Sequence, residues 1–234
     1  MNQTWLIIDA PFLAHRAYHS VGKLADGTVF GFLQSAASLQ DLFGTDRIVF
    51  CWDAGTSLRE RLCPTYKAAR KKRYAAMSEE ERLNSDEFRR KCLLLRTCYL
   101  QMFEYQNNLW AEGFEADDVI ASVVHNSLPP GDDAAIISSD HDMWQLLGPR
   151  VVCHDPARGR TTTAGSFREA WGLEPQQWAD IVAISGCAGD SVKGVKGVGT
   201  KKAAAYLRGD MPRRGIIYNR LESRISKVLW RDNL

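Results

Sequence analysis

The sequence predicts an α/β protein whose mainly parallel central sheet is flanked by helices. Short, continuous apolar runs recur along the first two-thirds of the chain, and each has the length of a strand. Continuous runs are typical of parallel strands that are buried on both faces. Helical patterns separate the runs, as the crossovers of a parallel sheet require. The strand candidates are residues 5–8, 47–52, 134–138 and 150–153.

Helical patterns follow the strand candidates in order. Residues 11–19 and 31–43 are predicted helices between the first two strands. Residues 70–84 are polar, highly charged and poor in large apolar side chains, and they lead into a helical pattern from Asp86 to about residue 107. We expect residues 70–84 to form an insertion at the edge of the sheet, an arch or lid within residues 66–110. An ordinary surface loop has the same composition.

The last third of the chain predicts a small helical module. After Thr161 no strand candidate remains, and residues 166–171, 175–185 and 200–207 are predicted helices. A glycine-punctuated turn at residues 194–199 precedes the last of them. We therefore place a domain boundary near residues 161–165, with one domain at 1–162 and the helical module at 163–234.

The net charge is only +2, but its distribution is uneven. Basic residues dominate residues 59–73 and again the stretch from Lys193 to the C-terminus, while acidic residues crowd the middle. Two basic surfaces around an acidic centre suit a polyanion such as a nucleic acid. Solvated charged faces are the alternative explanation for each run taken singly.

The six cysteines include no CxxC pair, which argues against a zinc cluster. They are Cys51, Cys63, Cys92, Cys98, Cys153 and Cys187. Unpaired thiols favour a reducing, cytoplasmic setting. The N-terminus lacks the pattern of a signal peptide, and no apolar run is long enough to span a membrane. We expect a monomer without a membrane partner.

Acidic residues stand where three predicted strands end. Asp9, Asp53 and Asp140 follow apolar runs, and the carboxyl ends of parallel strands line the ligand crevice of such a sheet. Crowded carboxylates repel one another unless cations neutralise them, and hard divalent ions such as Mg²⁺ or Mn²⁺ prefer oxygen ligands. Helix capping is the alternative for single members and suits Asp117 and Asp140. The other members of the set are Asp142, Glu115, Asp117, Asp118 and Asp190.

Cationic and glycine-rich segments complete the pattern. Lys67 and Arg70 follow Asp53 at a short interval and carry charges that can neutralise a scissile phosphate, and Tyr66 can stack on an unpaired base. The turn at residues 194–199 places glycines before a helix, an arrangement that binds phosphates. It lacks the GKS or GKT ending of a nucleotide-binding P-loop, which argues against nucleotide binding. A solvated helix start and a plain turn are the alternative explanations.

These segments, in this order, resemble the flap endonuclease and 5′–3′ exonuclease family, especially its bacterial and bacteriophage members. The resemblance implies a PIN-like nuclease domain, a helical arch that admits a 5′ single strand, and a helix–three-turn–helix module that grips duplex DNA. Its substrates would be DNA with 5′ ends or 5′ flaps. The matching stretches are Leu6-Ile7-Ile8-Asp9, Phe50-Cys51-Trp52-Asp53-Ala54-Gly55 with Arg59, Tyr66-Lys67-Ala68-Ala69-Arg70, Glu115-Ala116-Asp117-Asp118, Ser139-Asp140-His141-Asp142, and Gly189-Asp190 running into residues 194–199.

By the same resemblance, carboxylates would hold two divalent ions, Mg²⁺ or Mn²⁺. The first ion would be served by Asp9, Asp53, Glu115, Asp117 and Asp140, and the second by Asp140, Asp142 and Asp190, with Asp118 in the outer shell. Lys67 and Arg70 would be the catalytic cations of the arch. Backbone carbonyls of the glycine-rich turn would hold a potassium ion. DNA contacts would come from Arg59, Tyr66, Lys71, Arg73, Lys196, Gly197, Gly199, Lys201 and Lys202.

One departure from the family pattern affects the second ion. After Ile184-Ser185-Gly186 the family has an aspartate, and Cys187 stands there in this chain. A thiol is a poor ligand for Mg²⁺, so we expect the second ion to bind weakly or to favour Mn²⁺. The main hypothesis is a metal-dependent 5′–3′ exonuclease and flap endonuclease. The alternatives are a DNA-junction binder with weak or lost catalysis, and a PIN-type ribonuclease.

Overall fold

A computed structural model describes residues 3–22 and 26–224 of the chain. Within them, six strands form one sheet in the order β3-β2-β1-β4-β5-β6, in which all neighbours are parallel except β5 and β6. The strands are β1 (Thr4–Asp9), β2 (Ile48–Cys51), β3 (Asn108–Leu109), β4 (Asp133–Ile137), β5 (Val151–Asp155) and β6 (Arg160–Thr162). The predicted fold class, a mainly parallel sheet with flanking helices, is confirmed.

The sheet is buried on both faces. Leu6 and Ile8 contribute to a core on one face together with Phe32, whereas Ile7 faces the other side and shares a core with Ile136. All five side chains are completely shielded from solvent. Two buried faces require apolar residues at every strand position, which is why the strand runs were continuous in the sequence.

Helices cover both faces of the sheet and build the remainder of the described chain. Asp9 caps the first helix, because its Oδ1 accepts a hydrogen bond from Phe12 N at 3.1 Å. The helices are α1 (Ala10–Val21), α2 (Gly27–Phe43), α3 (Leu58–Leu62), α4 (Ala68–Ala75), α5 (Glu79–Leu94), α6 (Leu100–Met102), α7 (Ala116–Ser122), α8 (Ala164–Trp171), α9 (Trp178–Ser185), α10 (Thr200–Leu207) and α11 (Ile216–Arg224). A 3₁₀-helix at His141–Leu146 follows β4, and another at Pro175–Gln177 precedes α9.

The polar segment 70–84 is helical, so the surface-loop alternative is wrong. It contains most of α4 and the start of α5, which begins at Glu79 rather than at the predicted Asp86. Ser78 and Glu81 form a reciprocal capping box at that start. No residue of α4 is buried. The segment lacks large apolar side chains because it has little core to contact.

Helix α5 continues into α6 through a π-helical turn at Leu95–Tyr99. Leu95 and Leu100 are completely buried and fix this end of the helix on the sheet. The Arg96 side chain of the turn donates from Nη1 to the carbonyl of Asp53 at 3.0 Å, and its guanidinium lies over the Trp110 ring. The arch is therefore anchored to the sheet beside Asp53.

The helices after β6 are joined to the sheet by a shared core. Phe167, Trp178 and Ala203 belong to the same apolar cluster as Ile136. The prediction that strands stop at Thr161 is wrong in detail, because a short antiparallel ribbon, β7 (Gly186–Cys187) and β8 (Val192–Lys193), follows α9. Two-residue strands leave no periodic pattern to detect. Residues 225–234, the end of the predicted basic stretch, lie outside the described residues, as do residues 1–2.

Candidate metal centre

Three neighbouring strands deliver aspartates to one edge of the sheet. Asp9 is the last residue of β1 and stands in register with Cys51 of β2. Asp53 follows β2 by two residues, and Asp140 follows β4 by three. Strands β2 and β4 flank β1, so the chain leaves this point in opposite directions and opens a crevice there.

Helix α7 begins at the same edge. The backbone N–H of Ala116 donates to Asp53 Oδ1 at 2.7 Å, which holds the first turn of α7 against the crevice. The capping residue of this helix is Glu115, so the interpretation of Asp117 as a cap is wrong. Asp140 does cap the 3₁₀-helix that follows it, accepting from the Asp142 N–H at 2.9 Å. Capping and a place at the crevice are thus compatible.

A cavity of about 570 Å³ brings the predicted site residues together. All eight predicted carboxylates line it, and Cys187 faces it as well. The predicted arch residues Lys67, Arg70 and Tyr66 stand on its wall beside Arg59. The carboxylates are Asp9, Asp53, Glu115, Asp117, Asp118, Asp140, Asp142 and Asp190.

Four of these acids carry no compensating charge. Among the described residues, no ion pair involves Asp9, Asp53, Asp117 or Asp140. Burial, reinforced by the neighbouring carboxylates, raises the pKa of Asp117 to about 7. Burial also raises the pKa of Asp9 to about 6, against hydrogen bonds from Ser138 and Phe12 that lower it. The four acids therefore form a centre of uncompensated negative charge.

Three of the other four acids are paired with basic side chains, and Asp142 instead accepts a hydrogen bond from the Trp178 indole at 3.4 Å. Lys67 Nζ lies 2.6 Å from Glu115 Oε1, and Tyr66 donates to the other oxygen at 2.9 Å. Burial raises the pKa of Glu115, but Lys67 and Tyr66 outweigh it and hold the pKa below its usual value. Two further pairs join Arg59 to Asp118, in a bidentate contact at 2.6 and 2.7 Å, and Arg70 to Asp190 at 3.2 Å.

The donor chemistry of the cavity fits a hard divalent ion. Carboxylate oxygens are the ligands that Mg²⁺ and Mn²⁺ prefer, and burial among other carboxylates raises the pKa of both Asp9 and Asp117. Within residues 3–22 and 26–224, no three His, Cys, Asp or Glu side chains are yet close enough to enclose an ion.

Ser138 is a site residue that sequence reasoning missed. Its hydroxyl donates to Asp9 Oδ2 at 2.8 Å and accepts from the Asp140 N–H at 3.0 Å. The residue is 1% exposed, so it ties two aspartates together from below the crevice. A serine that ends a buried strand next to an aspartate was the available signal. His125 also lines the cavity, and Trp178 donates to Asp142 Oδ1 at 3.4 Å.

The start of the arch is fixed to the loop that carries Asp190. Lys67 has a left-handed backbone (φ 53°), and its N–H donates to the Asp190 carbonyl at 3.0 Å. Two residues on, Ala69 N donates to Ser191 Oγ at 3.1 Å. Cys187, in β7, donates from Sγ to Asp190 Oδ2 at 3.4 Å. The Cys187 thiol, whose pKa burial raises, therefore lines the cavity next to Asp190.

The predicted DNA contacts are spread over three places. Arg59 and Tyr66 belong to the cavity, while Lys71 and Arg73 lie exposed on α4, where Lys71 pairs with Glu60 at 2.5 Å. The glycine-rich turn does not line the cavity; it comprises Lys196, Gly197 and Gly199, followed by Lys201 and Lys202 of α10. Gly197 has a φ of +83°, a conformation that favours glycine.

Carbonyls of this turn already accept hydrogen bonds from cationic side chains. Lys202 Nζ donates to the Gly197 carbonyl at 3.0 Å, and Arg220 donates to the Lys196 carbonyl at 2.6 Å. These are carbonyls of the kind that a bound alkali ion would use.

Comparison with known proteins decides the family. Residues 4–172 match the family model described as 5′–3′ exonuclease, N-terminal resolvase-like domain. The chain belongs to the 5′–3′ exonuclease family. Within this family, the chain is similar to DNA polymerase I of Thermus aquaticus. The two are 31% identical over 86% of the chain and 23% of the polymerase. A 5′–3′ exonuclease of Mycoplasmopsis pulmonis is 29% identical over 95% of the chain and 71% of that protein.

Solved structures of low identity share the fold of this family member. Bacteriophage T5 5′-exonuclease with bound zinc superposes with a TM-score of 0.80 at 22% identity, covering 96% of this chain and 86% of that one. A variant T5 flap endonuclease with DNA and metal ions gives 0.81 at 22% identity, covering 96% and 85%. The chain spans about a quarter of the length of the polymerase relatives, 24% of the Thermus thermophilus protein.

Proposed function

We propose that this chain hydrolyses DNA phosphodiester bonds at 5′ ends and 5′ flaps with the help of divalent metal ions. The observation that carries the proposal is the cavity in which Asp9, Asp53, Asp117 and Asp140 stand uncompensated while Lys67 faces them. Family membership supports the same reaction. The T5 flap endonuclease of similar fold was solved with DNA and metal ions.

Two Mg²⁺ or Mn²⁺ ions would be held by the carboxylates of the cavity. Asp9, Asp53, Asp117 and Asp140, with Glu115, would serve one ion, and Asp142 and Asp190 would serve the other together with Asp140; Asp118 would act from outside. Bound ions of this kind lower the pKa of a coordinated water and stabilise charge that develops on the phosphate. Ser138 orients Asp9, and the Ala116 N–H orients Asp53, so both carboxylates are set before an ion arrives.

Lys67 and Arg70 must change partners during the reaction. Lys67 now neutralises Glu115, and Arg70 neutralises Asp190. With metal ions held by the carboxylates, Lys67 and Arg70 would both be free to neutralise the scissile phosphate. Tyr66, beside Lys67, would stack on the unpaired base next to that phosphate.

The remaining DNA contacts divide between two parts of the chain. We place the nuclease domain at residues 1–162, with an arch at about 66–110 that receives the 5′ strand along Arg59, Lys71 and Arg73. The module at 163–234 would hold the duplex through the turn at Lys196, Gly197 and Gly199 and the flanking Lys201 and Lys202. Phosphate contacts of this type give salt-dependent affinity without reading the base sequence.

Cleavage of a 5′-labelled flap in Mg²⁺ or Mn²⁺ tests the proposal. We expect Asp140→Asn to reduce the rate at least a hundredfold, a loss typical of a group that stabilises the transition state. Asp41→Asn is the matched control, because Asp41 is exposed on α2 outside the cavity. Equal rates for wild type and Asp140→Asn would contradict a metal-dependent reaction at this centre.

Cys187 supports a second candidate function, a DNA-junction binder that cuts poorly. It predicts tight binding of flap DNA in EDTA and negligible turnover even in Mn²⁺. Cys187→Asp separates the candidates: a sharp rise in Mg²⁺-dependent cleavage would identify the missing oxygen ligand as the defect. An unchanged rate in an active enzyme would show that the second ion is held by Asp142 and Asp190 without help from position 187.

Several finer assignments belong to the same proposal. A potassium ion at the glycine-rich turn would replace the Lys202 ammonium at the Gly197 carbonyl, so Lys202→Ala should increase the dependence of DNA binding on K⁺.

We propose a monomer, since one chain supplies every carboxylate of the cavity. All six cysteines are free, which suits a cytoplasmic setting. Matched RNA and DNA flaps would distinguish a PIN-type ribonuclease.

No described helix combines the length and the hydropathy that a bilayer crossing requires.

A further inference from the structure

Two histidines of helix α1 approach each other outside the carboxylate cavity. His15 and His19 are one helical turn apart, and their Nε2 atoms lie 3.2 Å from each other. Both residues are exposed, and neither lines the cavity that holds the acidic residues. Residues four positions apart share one face of a helix, so both rings project from α1 to the same side.

The spacing of the two nitrogens matches that of neighbouring ligands on one metal ion. Zinc–imidazole bonds are about 2.0–2.1 Å long, so two of them at a tetrahedral angle place their nitrogens about 3.3–3.4 Å apart, and two at a right angle about 2.9 Å apart. The observed 3.2 Å lies between these values. We propose that His15 and His19 form a binding site for a divalent transition-metal ion of the zinc class, separate from the carboxylate centre.

The chemistry of the His15–His19 pair favours ions that prefer imidazole ligands over Mg²⁺. Neutral imidazole suits Zn²⁺, Ni²⁺ and Cu²⁺, whereas Mg²⁺ demands oxygen ligands. Burial, then the charges of His19 and Arg73, lowers the pKa of His15, so protons compete little for its ring near neutral pH. Arg73 is the cation that faces the pair from the arch, and it reduces affinity without blocking either nitrogen.

The site lies where the arch meets the first helix. The His15 ring meets Phe88 of α5 edge-on, with ring centroids 5.7 Å apart. Tyr18 also contacts the Phe88 ring, with centroids 5.1 Å apart. An ion shared by His15 and His19 would hold the His15 ring in its place against Phe88 of α5. Within the described residues no group of three such ligands occurs, so water completes the coordination and the affinity stays below that of a closed structural site.

Zinc titration by calorimetry in excess Mg²⁺ tests the proposal, because Mg²⁺ occupies the carboxylates. We expect one Zn²⁺ per chain, and at least a tenfold loss of affinity in His15→Gln and in His19→Gln. His125→Gln is the matched control, since His125 lines the carboxylate cavity instead. The melting temperature of each metal-free variant shows whether it remains folded.

A second measurement locates the ion without relying on affinity. The chain has five histidines, and substoichiometric Cu²⁺ should broaden the ring proton signals of His15 and His19 before those of the other three. Zinc affinity that survives both substitutions, or that falls only in His125→Gln, would overturn the proposal and assign the ion to the cavity. Early broadening confined to His125 or His141 would overturn it as well.

Discussion

At the scale of single residues, the uncompensated acids make the metal-free fold sensitive to pH. Burial raises the pKa of Asp117 to about 7 from its ordinary value of 3.8. An acid with a raised pKa retains its proton in the folded state when the unfolded chain has already lost it. Stability is therefore lost as the pH rises from about 4 through 7, and it stays low above that range.

Asp117→Asn should raise the stability of the metal-free protein at pH 8 and leave it unchanged near pH 3. We expect a gain of about 1–2 kcal/mol after allowance for solvent screening, which corresponds to a few degrees in melting temperature. Thermal unfolding in EDTA at the two pH values measures it, with Asp41→Asn as control. In Mg²⁺ the wild type should be the more stable of the two proteins, because it gains a bound ion. If Asp117→Asn remains the more stable protein in Mg²⁺, the metal assignment is contradicted.

Lys67 should act on the chemical step more than on DNA binding. Its ammonium faces the carboxylates at 2.6 Å from Glu115, so its removal leaves the scissile phosphate without that charge. We expect Lys67→Ala to lower the single-turnover rate about a hundredfold or more. Lys71→Ala, on the outer side of α4, should weaken flap binding and leave the single-turnover rate at saturation nearly intact. Equal effects of both substitutions on that rate would argue against a special role for Lys67.

At the scale of elements, the β7–β8 ribbon is the device that presents Cys187 and Asp190 to the cavity. Gly194 follows β8 directly and lies against Gly186 of β7, and a Cβ on Gly194 would lie only 2.1 Å from the backbone of Ser185. A side chain at Gly194 therefore cannot be accommodated without shifting the backbone that leads from α9 into the site.

Gly194→Ala should destabilise the protein by about 2 kcal/mol or more, since the clash is with backbone atoms that cannot rotate away. The matched control is Gly215→Ala, because a Cβ at Gly215 meets nothing within 4 Å. Urea unfolding compares the two variants with the wild type. A Gly194→Ala protein as stable as Gly215→Ala would show that the ribbon is not packed as described.

Strands and helices were predictable from the sequence where burial imposes a distinct apolar pattern on them. Continuous apolar runs located β1, β2, β4 and β5, because a doubly buried strand needs them. The start of α5 was missed, because an exposed helix has no apolar period and only the Ser78–Glu81 box marks it. Strand β3, with two residues beside β2, depends on tertiary context alone.

The same distinction applies to the site. Aspartates after strands were predictable because parallel strands end together. The role of Ser138 was not, because its hydrogen bond to Asp9 spans 129 positions of the sequence and depends on how β1 and β4 pair. The pairing of Lys67 with Glu115, instead of with open solvent, likewise depends on how the arch docks on the loop of Asp190.

At the scale of the whole molecule, an aromatic cluster connects the C-terminal helices to the site. Trp178 lies between Trp144 and Trp171, with ring centroids 4.8 and 5.2 Å away. Its indole N–H also donates to Asp142 at 3.4 Å. One side chain therefore contributes both to the core under α8 and α9 and to the orientation of a candidate metal ligand.

Two substitutions separate these contributions. Trp178→Ala should cost about 3–5 kcal/mol of stability, as large-to-small changes of buried aromatic residues do. Trp178→Phe keeps most of the packing, so it should lose less stability while changing the Mn²⁺ concentration needed for half-maximal cleavage. Thermal unfolding and a metal titration of cleavage measure the two effects. An unchanged metal requirement in Trp178→Phe would show that the weak bond to Asp142 does not affect ion binding.

The π-helical turn at Leu95–Tyr99 has a consequence for how the arch is aimed. Such a turn holds one residue more than the α-helical turn it replaces, and one residue of an α-helix corresponds to about 100° of rotation about its axis. The widened turn thus sets the rotation of α5 about its own axis relative to the sheet. Loss of a single residue there would rotate the preceding part of α5 by about 100° relative to the sheet, so the side chains that α5 presents to its neighbours depend on the number of residues in this turn.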